Sequence, residues 1–176
     1  MILCSEILNI LTVIHSCMMS GTKKSLHEFY ETKVKDIMRT IKSVLPCIVE
    51  NADVETVFSI LMNNEYVWVT DGKDPKHVLG VITKSDTIAL FSPPVPSLET
   101  FDKPDSRSLQ FGVPLTAQEI MSKNPVSTSP EETIREVIEK MKQYKVKQLP
   151  VVDHHGTLLG DITLHQFIDK YCREQT

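Results

Sequence analysis

Two stretches of this 176-residue chain carry the same landmarks in the same order, and a duplicated unit restricts the fold more tightly than any other feature. Val34-Lys35-Asp36-Ile37-Met38 is echoed by Ala117-Gln118-Glu119-Ile120-Met121. Gly80-Val81-Ile82-Thr83 is echoed by Gly160-Asp161-Ile162-Thr163, each behind an apolar strand and a glycine-containing turn. The offsets, 34 to 117 and 80 to 160, are 83 and 80 residues. A near-constant offset at both ends of a unit argues for duplication.

The second copy shows its elements most clearly. Ser129 reads as an N-cap, with Pro130 at the first helical position and a glutamate completing a capping box, so the spacing predicts a helix starting there. Ile134, Val137, Ile138 and Met141 follow at helical spacing, opposite Arg135, Glu136, Glu139, Lys140 and Lys142. Leu149 to Val152 and Leu158 to Ile162 read as buried strands around the turn Asp153-His154-His155-Gly156. Thr163 then caps a closing helix through Phe167, Ile168 and Tyr171. With the extended Pro125 to Thr128, the order is strand, helix, strand, strand, helix.

The first copy repeats this order: Cys47 to Val49 extended, a helix on Val54, Val57, Phe58, Leu61 and Met62, strands at 66–69 and 78–82, and a closing helix from Ser85 to Phe91. Between the copies, 93–115 is a linker or surface loop rich in proline, with Pro93, Pro94, Pro96, Pro104 and Pro114. One such unit buries one face of its sheet and is marginal alone, at about 60 residues. Two units packed sheet against sheet cover each other, which predicts an α/β (α+β) fold with pseudo-twofold symmetry.

Composition narrows the function classes. Apolar residues make up 41% of the chain, enough for a packed core, and the net charge of −4 gives no broad attraction to nucleic acid or anionic lipid. Cys4, Cys17, Cys47 and Cys172 form no CxxC pair, so neither a zinc knuckle nor a disulfide framework is indicated and a reducing cytoplasm is expected. The first 20 residues are apolar but broken by Glu6, Asn9, Thr12, His15 and Ser16, short of a membrane span, and they lack a basic signal-peptide start. Ile7, Ile10, Leu11, Ile14 and Met18 fit an amphipathic helix docked on the module or a partner; alternatively, synthesis starts at Met18 or Met19.

Together these landmarks resemble the CBS domain family in its paired form, the Bateman module. The resemblance rests on the lead-in Asp-Ile-Met and Glu-Ile-Met, the Leu149-Pro150-Val151-Val152-Asp153 strand and the Gly-x-x-Thr junctions. It divides the chain into a lead-in at 1–32, repeats at 33–92 and 116–176, and the linker between. It implies a regulatory module that binds an adenosine-containing nucleotide, such as AMP, ADP, ATP or S-adenosylmethionine, in the cleft between repeats. It also implies a homodimer, a regulated protein partner and no catalytic cofactor.

The family's ligand motif is met in the first copy by Gly80 through Asp86. Thr83 and Ser85 sit where a strand gives way to a helix, so backbone amides and the helix dipole face an incoming phosphate. Asp86, one turn in, can accept two hydrogen bonds from a ribose diol, and Lys84 adds charge. The resemblance assigns the ligand roles to Thr83 and Asp86. In the second copy Thr163 is kept, but Leu164, His165 and Gln166 follow, and a glutamine amide lacks the two accepting oxygens of a carboxylate. One competent site near Thr83 and Asp86 is therefore expected, and a second near Thr163, His165 and Gln166 that is weak, altered or empty. Asp161 could repel phosphate there. Lys145, Lys147 and Gln148 either reach a ligand's phosphates or form a solvated loop at a helix C-terminus.

Other candidates have plainer readings. His154 and His155 lack a third metal ligand and read as exposed turn residues. Trp68 reads as core, and Asp36 and Glu119 as caps at the start of each unit. No Ser–His–Asp, P-loop or zinc-protease signature is present, which argues for a binding module without catalysis. The alternative is a scaffold with vestigial clefts, whose apolar helix faces serve dimerisation.

Overall fold

The computed structural model describes residues 26–41, 45–91 and 115–173; the helix expected in the first 20 residues and all but the last residue of the linker lie outside the described residues. The first half runs α1 (Leu26–Glu31), a 3-10 turn (Val34–Asp36), β1 (Arg39–Thr40), β2 (Cys47–Val49), α2 (Val54–Leu61), β3 (Tyr66–Thr70), β4 (Val78–Thr83) and a 3-10 turn (Asp86–Phe91). The second half runs α3 (Ala117–Ile120), β5 (Ser122–Lys123), α4 (Ile134–Tyr144), β6 (Gln148–Val152), β7 (Leu158–Thr163) and α5 (Leu164–Arg173).

The duplication is visible in the hairpins. β3 and β4 pair antiparallel from Tyr66 opposite Thr83, and β6 and β7 from Gln148 opposite Thr163. Each ladder shifts register at the equivalent place, between Val69 and Thr70 and between Val151 and Val152. The two hairpins meet where His77 bridges Thr157, and the Leu158 amide donates to the Lys76 carbonyl at 2.7 Å.

Each repeat lends its lead-in to the other. β1 pairs with β7, giving the order β1-β7-β6, and β5 pairs with β4, giving β2-β3-β4-β5. The cores are mixed in the same way. Leu115, Ala117 and Ile120 pack with Val54, Val57, Val67 and Ile82, while Phe29 and Val34 pack with Ile134, Val137, Leu149 and Ile162. Burying a side chain such as Ile120 is worth about 1.5–3 kcal/mol, so the exchanged segments bind each repeat to its partner.

Gly80 and Gly160 make the exchange possible. A Cβ on Gly80 would come within 2.8 Å of the Ser122 carbonyl oxygen, and one on Gly160 would press into the Arg39 carbonyl, whose carbon would lie at 3.0 Å. These glycines thus admit a crossing strand, a constraint the motif spacing could not reveal.

The exchange also moves a helix start. α4 begins at Ile134, four residues after Pro130, with Thr133 as N-cap and Glu136 completing the capping box. The Pro130 and Glu132 carbonyls accept from the Lys35 and Val34 amides at 3.0 and 2.9 Å, and the Ile134 amide donates to Thr32 at 2.9 Å. The groups that would extend the helix back to Ser129 are thus occupied by the other repeat. Thr133→Ala is expected to lower stability by about 1 kcal/mol in urea titration, while Ser129→Ala stays within about 0.5 kcal/mol. Equal losses would return the cap to Ser129.

The first closing helix falls within a residue of its expected span but takes the 3-10 form. Asp86–Phe91 is a six-residue 3-10 turn, whereas its counterpart α5 is a ten-residue α-helix.

Candidate functional site

An acid on a strand otherwise built of apolar residues must be partnered, and Asp161 of β7 is fully buried. It accepts four hydrogen bonds: Arg39 Nε at 2.9 Å, Arg39 Nη2 at 2.8 Å, Trp68 Nε1 at 3.1 Å and the Tyr66 hydroxyl. Arg39 Nη2 also donates to the Tyr66 oxygen at 2.5 Å. The cluster joins β1 and β3 of the first repeat to β7 of the second. The Asp161 hydrogen bond holds the Arg39 guanidinium above its ordinary pKa, while burial, followed by the Asp161 charge, pushes the Tyr66 phenol well above its usual range. Asp161 therefore does not face a ligand as a bare charge, as the sequence suggested; Arg39 covers it. Trp68 is the buried core residue expected.

Two cavities open at the ends of the hairpins. The smaller, about 280 Å³, is lined by Thr83, Lys84 and Ser85 from the first repeat, Lys145 through Gln148 from the second, and Glu65. The larger, about 410 Å³, is lined by Thr163 through Gln166, by Asn63 through Tyr66, and by Arg39, Lys147 and Gln148. Every ligand-binding residue expected from the sequence except Asp86 lines one of them. Lys147 and Gln148 line both.

Asp86 is one position beyond the lining. Its Oδ2 accepts from the Thr83 amide and the Thr83 hydroxyl, both at 2.7 Å, so that Oδ1 takes no part in this cap. Gln166 copies the arrangement: its Oε1 accepts from the Thr163 amide at 2.5 Å and hydroxyl at 2.7 Å, and its amide nitrogen donates to the Asp161 carbonyl at 3.3 Å. Glutamine keeps the strand-to-helix cap but has no second oxygen.

The backbone amides are less available than the sequence implied. The Thr83 amide is held by Asp86, and the Lys84 amide donates to the Glu65 carbonyl at 3.2 Å. Leu164 donates to the Lys147 carbonyl at 3.0 Å. With only a short 3-10 turn behind Thr83, positive charge in the smaller cavity comes chiefly from Lys84, Lys145 and Lys147. Lys145 caps α4 in the left-handed conformation, at φ 56°, and also lines the cavity.

Arg39, Asn63, Asn64, Glu65 and Tyr66 also line the cavities, and none of them stands out in the sequence as a ligand residue. Only Arg39 left a signal, since an acid within the Gly160–Thr163 strand requires a cation somewhere. The other four gather through tertiary packing. His154 and His155 are exposed in their turn, and Glu119 accepts from the Thr116 amide at 2.7 Å as a capping residue. Among the described residues, no group of three His, Cys, Asp or Glu is placed to hold a metal ion, and no helix is long and apolar enough to cross a membrane.

Paired strand-to-helix junctions around two clefts, related by a pseudo-twofold, define a duplicated module. The CBS domain family model matches residues 34–92 and 117–172, and the chain belongs to that family. Among curated relatives, arabinose 5-phosphate isomerase KdsD of Francisella tularensis is 44% identical over 50 residues, which is 28% of this chain and 15% of that protein. The chain thus spans a small part of that relative's length. Among solved structures, CBSX2 in complex with AMP aligns with a TM-score of 0.64 at 18% identity, covering 82% of this chain and 98% of that one. The CBS domain pair of protein MJ0100 in complex with 5'-methylthioadenosine and S-adenosyl-L-methionine aligns at 0.59 with 22% identity, covering 80% and 95%.

Proposed function

We propose that this protein is a regulatory module that senses an adenosine-containing nucleotide in the clefts between its repeats and signals to a protein partner, without catalysing a reaction. The observation that carries this reading is the Thr83–Asp86 pair, which leaves one carboxylate oxygen of Asp86 to accept from a ribose beside a cavity with three lysines. The AMP complex of CBSX2 and the two adenosine ligands of MJ0100 support the ligand class. Binding shifts the packing of the repeats only through a difference in affinity between two states. The Arg39–Asp161 cluster, joining three strands at the larger cavity, is well placed to feel such a shift.

A thermal-shift panel of AMP, ADP, ATP, S-adenosylmethionine, methylthioadenosine and GTP tests the reading. A ligand at 100 times its Kd stabilises the native state by about 2.7 kcal/mol, raising the melting point by several degrees. Asp86→Asn keeps an acceptor for Thr83 but removes the carboxylate, so affinity at this cleft falls roughly 10- to 100-fold with little change in the ligand-free melting point. No shift with any compound overturns the reading.

A scaffold role is the second reading. Leu164, Ile168 and Tyr171 are exposed on α5, an apolar face suited to homodimerisation or partner docking.

A further inference from the structure

The two cavities share a wall. Glu65, Lys147 and Gln148 line both, and Glu65 and Lys147 occupy equivalent places in the two repeats, each immediately before the first strand of its hairpin. The pseudo-twofold therefore sets an acid against a base at the boundary between the clefts. Glu65 is tied into the smaller cavity by an ion pair with Lys84, Nζ to Oε1 2.6 Å.

We propose that the two clefts bind anionic ligands antagonistically, through the Glu65 and Lys147 side chains they hold in common; the proposal rests on the nucleotide-sensing reading above. Phosphate arriving at Lys84 competes with Glu65 for that ammonium and releases an exposed carboxylate that also borders the larger cavity. The same phosphate draws Lys147 toward the smaller cavity. The larger cavity is then left with Arg39, already hydrogen-bonded through Nε and Nη2 to Asp161, as its other cation. Both displacements lower its affinity for a second anion.

The effect is reciprocal, because coupling between two binding equilibria has one value whichever ligand binds first. A ligand in the larger cavity that engages Lys147 removes a cation from the smaller one and leaves Glu65 on Lys84. The module then responds to which cleft is filled rather than to the sum of both. This assigns a purpose to the unequal pair at 86 and 166: the aspartate cleft is filled first, and the glutamine cleft reports ligand only against that bias.

Isothermal titration with ATP tests the coupling. Ser85 and His165 are exposed, and each lines one cavity only, so Ser85→Trp closes the smaller cleft and His165→Trp the larger. Melting curves establish that each variant is folded, and Ser85→Tyr and His165→Tyr replace any that is not. Each variant gives the Kd of one cleft alone. In the unmodified protein the later-filling cleft is expected to bind about five-fold or more weakly than that cleft alone. In the Glu65→Gln, Lys147→Gln double variant the gap closes to less than about two-fold. An unmodified isotherm equal to the sum of the two single-cleft isotherms overturns the proposal, as does a cleft that takes no ATP when the other is blocked. Absence of ATP binding in every version overturns instead the nucleotide-sensing reading on which it rests.

Discussion

Asp161→Ala is expected to lower stability by about 3 kcal/mol, the largest loss from any single polar side chain among the described residues. The substitution leaves the Trp68 indole N–H and the Tyr66 hydroxyl inside the protein without their acceptor, and the Arg39 guanidinium without its counterion. Breaking a buried ion pair from one side typically costs 3–5 kcal/mol. The lower end applies because the Arg39 side chain is 40% exposed and regains some solvation from the cavity, where screening already weakens the pair. Urea titration measures the loss. Replacing both partners, Asp161→Leu with Arg39→Met, should recover much of it, since no charge is then left unpaired. A loss under about 1 kcal/mol for Asp161→Ala would mean that the cluster contributes little to joining the repeats.

Gly160→Ala should be nearly as damaging, and more so than the same change at Gly80. A methyl group at 160 meets the Arg39 carbonyl and the Thr40 Cα, both backbone, so β1 must leave β7 or the hairpin must bend. Overpacking of this kind costs about 1–3 kcal/mol, and here it also pulls Arg39 away from Asp161. At Gly80 the nearest atom is the Met121 sulfur, on a flexible side chain, although the Ser122 carbonyl limits how far the strand can yield. The prediction is a lower urea midpoint for Gly160→Ala than for Gly80→Ala. The reverse order would show that the two crossings are not held as described.

What each repeat disclosed depended on how local its determinants were. The hairpins and α4 were legible because short apolar runs and helical apolar spacing are carried by residues close together in the chain, and strands 66–70 and 148–152 fall within a residue of expectation. The Ser129 cap failed for a non-local reason: Thr32, Val34 and Lys35, about 100 residues away, hold the backbone groups that would have started the helix there. Asp161 stands out in the sequence as an anomaly, but its partners lie on two distant strands, β1 and β3. The site was half legible. Thr83, Lys84, Ser85, Lys147, Gln148, Thr163, His165 and Gln166 all reach a cavity, yet Asp86 caps Thr83 through Oδ2 one position beyond the lining, and Glu65 and Arg39 lie outside the ligand motif.

The sequence by itself determined the duplication, the order of elements in each unit and the aspartate-to-glutamine difference between junctions, because each is carried by contiguous residues. Only the tertiary structure decided that each unit completes the other's sheet, where α4 begins, and that two clefts share Glu65 and Lys147. The reason is physical: a backbone amide or a buried carboxylate must find a partner, and its identity depends on which distant strand the packed core brings within about 3 Å.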